Sequence, residues 1–198
     1  MKKIVFGLMI FISTFLFATD VSNFDIKGIK LGMSKDEVLN IFKNMQCSIK
    51  KDWENPNMDH TKPPRSIFYK CEQGKNYITI KLNHNNKVIY IHRYMYNKTG
   101  FNITSIKNQI LLKYGKTKFV KKISPEYGSS YYSICYGNCI NKKNDEYVTY
   151  KGIGLNIVIF KDVINFNLEN MKLEKENKIY YKDNIINKVN KGKFKIDL

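Results

Sequence analysis

The chain has 198 residues, 34 of them Lys or Arg against 17 Asp or Glu, which gives a net charge of +17. About 180 residues remain once an N-terminal leader is set aside, enough for one domain that buries a core without leaning on disulfides. The length fits one domain of ordinary size, and no later apolar run reaches membrane length, the best being strand-sized Ile153–Phe160.

Met1-Lys2-Lys3 precedes an apolar run, Ile4 to Phe17, followed by Ala18 and the polar Thr19-Asp20. A charged start, a short apolar stretch and a small residue at the cut form a secretory signal. Cleavage is expected after Ala18, leaving 19–168 as an α+β domain and 169–198 as a basic helical tail. With that leader the protein is expected to be periplasmic or secreted.

Phe24–Leu31 reads as a strand. Ser34-Lys35-Asp36-Glu37 is a capping box opening a helix with Val38, Leu39, Phe42 and Met45 on one face. The segment Lys51–Arg65 reads as a long loop, rich in proline and holding the single tryptophan, Trp53. Strands follow at Ser66–Cys71, Tyr77–Leu82 and Val88–Tyr96, an antiparallel meander. The order then repeats. Thr104 or Ser105 caps a helix carrying Ile106, Ile110 and Tyr114, stopped by Gly115. Strands are expected at Lys118–Ile123, Tyr131–Tyr136, Glu146–Tyr150, Leu155–Phe160 and Ile164–Leu168. The lysine-rich stretch Glu169–Asn190 reads as a weakly amphipathic, partly frayed helix. The expected fold is therefore α+β: two helix-plus-antiparallel-meander units, about 24–96 and 102–168, forming a continuous or paired sheet with helices on one face.

The four cysteines are Cys47, Cys71, Cys135 and Cys139. An even count in an exported chain reads as disulfides, and four allow three pairings. Loop length and proximity favour Cys47–Cys71 and Cys135–Cys139, the latter pinning a tight Tyr136-Gly137-Asn138 turn. Zinc ligation fits poorly, because the close pair is spaced C-x3-C with no histidine beside it.

Gly28-Ile29-Lys30-Leu31-Gly32-Met33-Ser34-Lys35-Asp36-Glu37-Val38 is similar to the G-x-x-x-G-M-S-x-x-E-V entry to the first helix of beta-lactamase-inhibitor-protein-like repeat domains and of the related BamE (SmpA/OmlA) outer-membrane proteins. Lys113-Tyr114-Gly115-Lys116 resembles their exit from the second helix, with Thr117 where proline is usual, and the Cys135–Cys139 segment is similar to a cysteine-containing strand turn common among them. The resemblance covers roughly 24–168. It implies a tandem αβ repeat and a habit of binding proteins across a concave sheet; it implies no shared chemistry and carries over no contact residue.

The three histidines, His60, His84 and His92, lack a nucleophile and an orienting acid at recognisable spacing, so no catalytic residue is assigned. A hydrolase built on His60 or His92 is the third-ranked reading. No metal-ligand set and no cofactor motif is assigned. The aromatic content points to binding: Tyr90, Tyr94 and Tyr96 share a strand face with His92, Ile89, Ile91 and Met95 share the other, and Tyr131, Tyr132 and Tyr136 form a second stripe. The binding residues assigned are Trp53, Tyr90, Tyr94, Tyr96 and Tyr131.

The reading that results is an exported, non-catalytic protein. It binds a protein partner of the envelope or the extracellular space through its sheet face and the 51–65 loop. The alternative is a cationic effector that binds an acidic polymer such as lipopolysaccharide, cell-wall polymer or nucleic acid. Against that alternative, the lysines are scattered from Lys27 to Lys195 and only Arg65 and Arg93 are arginine, the pattern an A/T-rich genome writes.

Overall fold

The computed structural model describes residues 20–53, 66–117, 120–123, 130–141 and 148–190. The expected signal segment, 54–65 of the Trp53 loop with His60, and the last eight residues lie outside the described residues.

The architecture is α+β. A short 3-10 turn (Val21–Asn23) leads into β1 (Asp25–Ile26) and β2 (Ile29–Lys30), then α1 (Lys35–Asn44), β3 (Ser48–Trp53), β4 (Ile67–Gln73), β5 (Asn76–Leu82) and β6 (Val88–Tyr96). The order repeats with α2 (Ile103–Tyr114), β7 (Val120–Ile123), β8 (Ser130–Asn141), β9 (Val148–Ile159) and β10 (Val163–Asn170), and α3 (Met171–Asn190) follows. β1 and β2 form a hairpin of their own, and the other strands make one antiparallel sheet in the order β3-β4-β5-β6-β10-β9-β8-β7. Each unit is thus a helix and a four-stranded meander, and the meanders meet along β6 and β10, where Arg93 pairs with Phe166 and His92 with Asn167.

Side-chain alternation assigns the two faces. On one, Ile78 and Ile80 of β5, Ile91 of β6, Ile164 and Leu168 of β10, and Leu155, Ile157 and Ile159 of β9 are buried. Val38 and Phe42 of α1 and Ile110 and Tyr114 of α2 pack onto them, with Phe24, Ile26 and Ile29 of the hairpin. Each such side chain taken fully from water contributes about 1.5–3 kcal/mol before entropy is charged against it, so this layer holds the domain together. α3 lies across the opposite face, where Lys81 of β5 and the turn residue His84 meet Glu174 and Asn177.

Local chemistry explains the boundaries. Ser34 caps α1 by accepting from the Glu37 amide at 3.4 Å, while the Glu37 carboxylate accepts from the Ser34 amide at 2.7 Å. α2 is capped by Asn102, whose Oδ1 accepts from the Ser105 amide at 3.0 Å, rather than by Thr104 or Ser105, which lie inside the first turn. Gly115 ends α2 at φ 89°, where a side chain would be strained.

Several expected elements differ. The strand read over Phe24–Leu31 is folded into a hairpin by Lys27 and Gly28, with the Gly28 amide donating to Asp25. Ser48–Trp53 is an edge strand, so Trp53 ends β3 rather than sitting in a loop. The strands expected at 146–150 and 155–160 are one long strand, β9. The expected Tyr136-Gly137-Asn138 turn is instead a bulge within β8, where register shifts between Gly137 and Cys139. Gly137 is required there: a Cβ would lie 2.5 Å from the Ile153 carbonyl oxygen and 2.8 Å from Val21. A second register shift, against Lys81 and Leu82, leaves Ile89 buried outside the apolar layer that contains Ile91.

The disulfide Cys47–Cys71 ties the end of α1 to β4, with Cα atoms 5.4 Å apart. Cys135 is also disulfide-bonded; the side chain of Cys139 lies outside the described residues. Among the described residues no helix is long and apolar enough to cross a membrane.

Candidate interaction face

The face opposite α1 and α2 is read most directly along the cross-strand rows. One row runs Ser133, Val158, Asn165, Tyr94, Tyr77, Glu72; the next runs Cys135, Asn156, Asn167, His92, Thr79, Lys70. A third places Glu169, Tyr90, Lys81 and Phe68 side by side, at the end where α3 crosses. The face is therefore polar and aromatic where its reverse is aliphatic.

Tyr77 and Tyr94 are direct cross-strand partners, and their rings stack with centroids 5.0 Å apart and 7° between planes. Tyr77 also meets His92 edge-on at 5.5 Å. Lys70 Nζ sits 4.1 Å from the Tyr77 ring centre and Lys75 Nζ 4.6 Å from that of Tyr96, so two ammonium groups border the patch. Glu72 receives both Lys50 and Lys70, whose hydrogen bonds hold its carboxyl below the ordinary range.

Deeper in the face the groups are pinned. The Tyr90 hydroxyl donates to Asn167 Oδ1 at 2.9 Å, and burial pushes its phenol well up. His92 Nε2 lies 3.2 Å from Asn165 Oδ1; burial outweighs that contact and lowers the imidazole below its ordinary value. Burial, with the charge of Glu174, raises the Glu169 carboxyl against the opposing pull of Lys81 and Lys178. Asn156 Oδ1 is buried with no hydrogen-bond partner among the described residues.

Of the residues assigned from the sequence, Tyr90, Tyr94 and Tyr96 do share one strand face, with Tyr94 and Tyr96 half-buried at the end away from α3. Tyr131 does not join them. It lies on β8, three strands from β6 or about 14 Å at ordinary strand spacing, and it is only 5% exposed, stacked on Phe160. The stripe expected from Tyr131, Tyr132 and Tyr136 is split by alternation. Tyr132 and Tyr136 face the helices, where Lys107 of α2 covers Tyr132 and the Tyr136 hydroxyl donates to the Gly115 carbonyl at 3.0 Å. Trp53 lies at the β3 edge of the sheet; its side chain is not among those described. Tyr77 is the contributor that sequence reading missed, although its alternation with Ile78 and Ile80 already placed it opposite the core.

His84 and His92 contact asparagines rather than nucleophiles or carboxylates. Among the described residues no group of three or more His, Cys, Asp or Glu could hold a metal ion. No family model matches the chain, and neither a curated protein nor a solved structure matches it.

Proposed function

We propose that the protein is exported and binds another macromolecule of the cell envelope or extracellular space through the aromatic sheet face, without catalysing a reaction on it. The observation that carries this reading is the stacked Tyr77–Tyr94 pair, half-buried at 5.0 Å on a face that the two core helices leave free. Stacked tyrosines on adjacent strands offer broad, stiff contact area with hydroxyls at the rim, at little entropy cost on binding. Trp53, which ends the edge strand β3, is proposed as a further contact residue of this binding surface. The Cys47–Cys71 bridge suits an oxidising compartment, and the leader ending at Ala18 would deliver the chain there. The resemblance to tandem αβ repeat proteins of the beta-lactamase-inhibitor and BamE kind supports the same use of the sheet.

Lys70 and Lys75 beside the tyrosines favour a second reading, an acidic polymer as partner. Capture from an envelope extract tests both. Wild-type protein is expected to retain a partner that a Tyr77→Ala/Tyr94→Ala variant releases. Equal capture by the variant removes the sheet face, and retention that collapses steeply with salt moves the assignment to the polymer.

A further inference from the structure

The helix-bearing face holds one residue that its position does not explain. Arg93 occupies the centre of a cross-strand row whose other members, Cys71, Ile78, Phe166, Ile157 and Ile134, are all apolar. A leucine would serve the core better there. The guanidinium carbon lies 5.8 Å from the Phe166 ring centre, and no hydrogen-bond acceptor or carboxylate pairs with the guanidinium among the described residues. Burial works against its charge.

Arg93 also stands where two cavities adjoin. One, of about 550 Å³, opens at the ends of β5 and β6 beside Ile78 and Phe101. The other, of about 220 Å³, runs under α2 beside Phe166. Both are lined by Lys27, Arg93 and Met95, and among the described residues no Asp or Glu lines either. Asp25 of the β1–β2 hairpin is engaged by Lys113, which lines the smaller cavity, at 2.9 Å.

We infer that this cleft between the Lys27 turn, α2 and the sheet binds a single-chain amphiphile with an anionic head, such as a long-chain carboxylate. Its head pairs with Arg93 and Lys27, and its chain lies along Met95, Phe101 and Phe166. The planar guanidinium matches a carboxylate through two parallel hydrogen bonds, and supplying that anion removes the cost of a partly buried, unpaired cation. A bare anion would leave the apolar wall uncovered, and a neutral amphiphile would leave Arg93 as it is. Ile78, Arg93 and Met95 stand on the reverse of the aromatic face, although Tyr77, Tyr94 and Tyr96 also border the larger cavity at the strand ends. Dodecanoate binding by Arg93→Met and partner capture by Tyr77→Ala/Tyr94→Ala test the two assignments separately.

Titration calorimetry with dodecanoate below its micelle concentration tests this, with dodecyl maltoside as the neutral amphiphile and acetate as the bare anion. Wild type is expected to bind dodecanoate one-to-one and at least tenfold more tightly than either control. Arg93→Met should lose at least tenfold in affinity, whereas the exposed Lys172→Met should not change it. Equal affinity in Arg93→Met, equal weakening in Lys172→Met, or acetate or maltoside binding as well as dodecanoate each overturns the inference. Should Arg93→Met fail to fold, methionine-methyl NMR on wild type decides: dodecanoate is expected to move the Met95 signal and leave Met171 in place. A Met95 signal that dodecanoate leaves unmoved, or a shift shared equally with Met171, overturns it.

Discussion

Lys81 Nζ and Glu174 Oε1 are 2.7 Å apart with side chains only 8% and 6% exposed, so one nearly dry ion pair fastens α3 to the sheet. Lys178 supports the same oxygen at 3.2 Å, while Glu174 Oε2 is buried without a hydrogen-bond partner among the described residues. Removing the lysine charge leaves a buried carboxylate short of its main cation, which costs about 3 kcal/mol. Lys81→Met should lower urea stability by that order and speed hydrogen exchange along α3. Lys81→Met/Glu174→Leu should recover most of the loss. A Lys81→Met variant with unchanged midpoint would show that the pair does not hold the helix.

The Cys47–Cys71 bridge closes a loop with a sequence separation of 24. Restricting the unfolded chain over such a loop contributes about 3 kcal/mol. Cys47→Ser/Cys71→Ser should therefore drop the unfolding midpoint by a corresponding amount while far-UV circular dichroism stays that of the folded sheet. The measurement is urea unfolding of wild type and variant under identical non-reducing conditions.

Features set by neighbours in sequence were legible, and features set by distant pairing were not. The Ser34–Glu37 capping box and the Gly115 stop are local, and both stand where the residues indicated. Alternation of Ile78 and Ile80 with Tyr77 and Thr79 is local too, and it assigns faces once the strand is known. The join of β6 to β10 leaves no local mark, because any two strands with one apolar face could pair there. The edge strand Ser48–Trp53 carries no alternating burial to reveal it, and Cys71 opposite Ile49 becomes evident only from the register. Tyr131 and Tyr132 went to opposite faces because adjacent strand residues always do; grouping them as a stripe ignored that period. Arg93 looked like one cation among many until its row was assembled.

Tyr90 and Tyr94 stand two residues apart on one face but should behave differently. Tyr90 donates to Asn167 at 2.9 Å in a part-buried setting, so Tyr90→Phe should cost about 1 kcal/mol of stability and little partner capture. Tyr94 is half-buried and stacks on Tyr77, so Tyr94→Ala should cost about 1 kcal/mol or less of stability while weakening capture strongly. Paired thermal melts and capture assays on the two variants separate the roles. The opposite pattern would place the contact surface nearer α3.

Stability should fall as the medium turns mildly acidic, and His92 should account for part of the fall. Burial holds its imidazole below the ordinary 6.5, only partly countered by the hydrogen bond with Asn165, and the charge of Lys70 adds to the lowering. As pH drops through 6.5 the unfolded chain takes up the proton first. The His92 contribution is thus complete above that value and is lost progressively down to the folded-state pKa, below which it levels off. Glu169 acts in the other direction. Its raised carboxyl stabilises the fold fully below the ordinary 4.5, and that contribution is lost as pH rises through its folded value. Comparing wild type with His92→Gln at each pH cancels the Glu169 contribution. The stability lead of wild type over the variant should shrink from about pH 7.5 to about pH 5. A difference that stays constant across that range would mean that His92 titrates in the fold as it does in the unfolded chain.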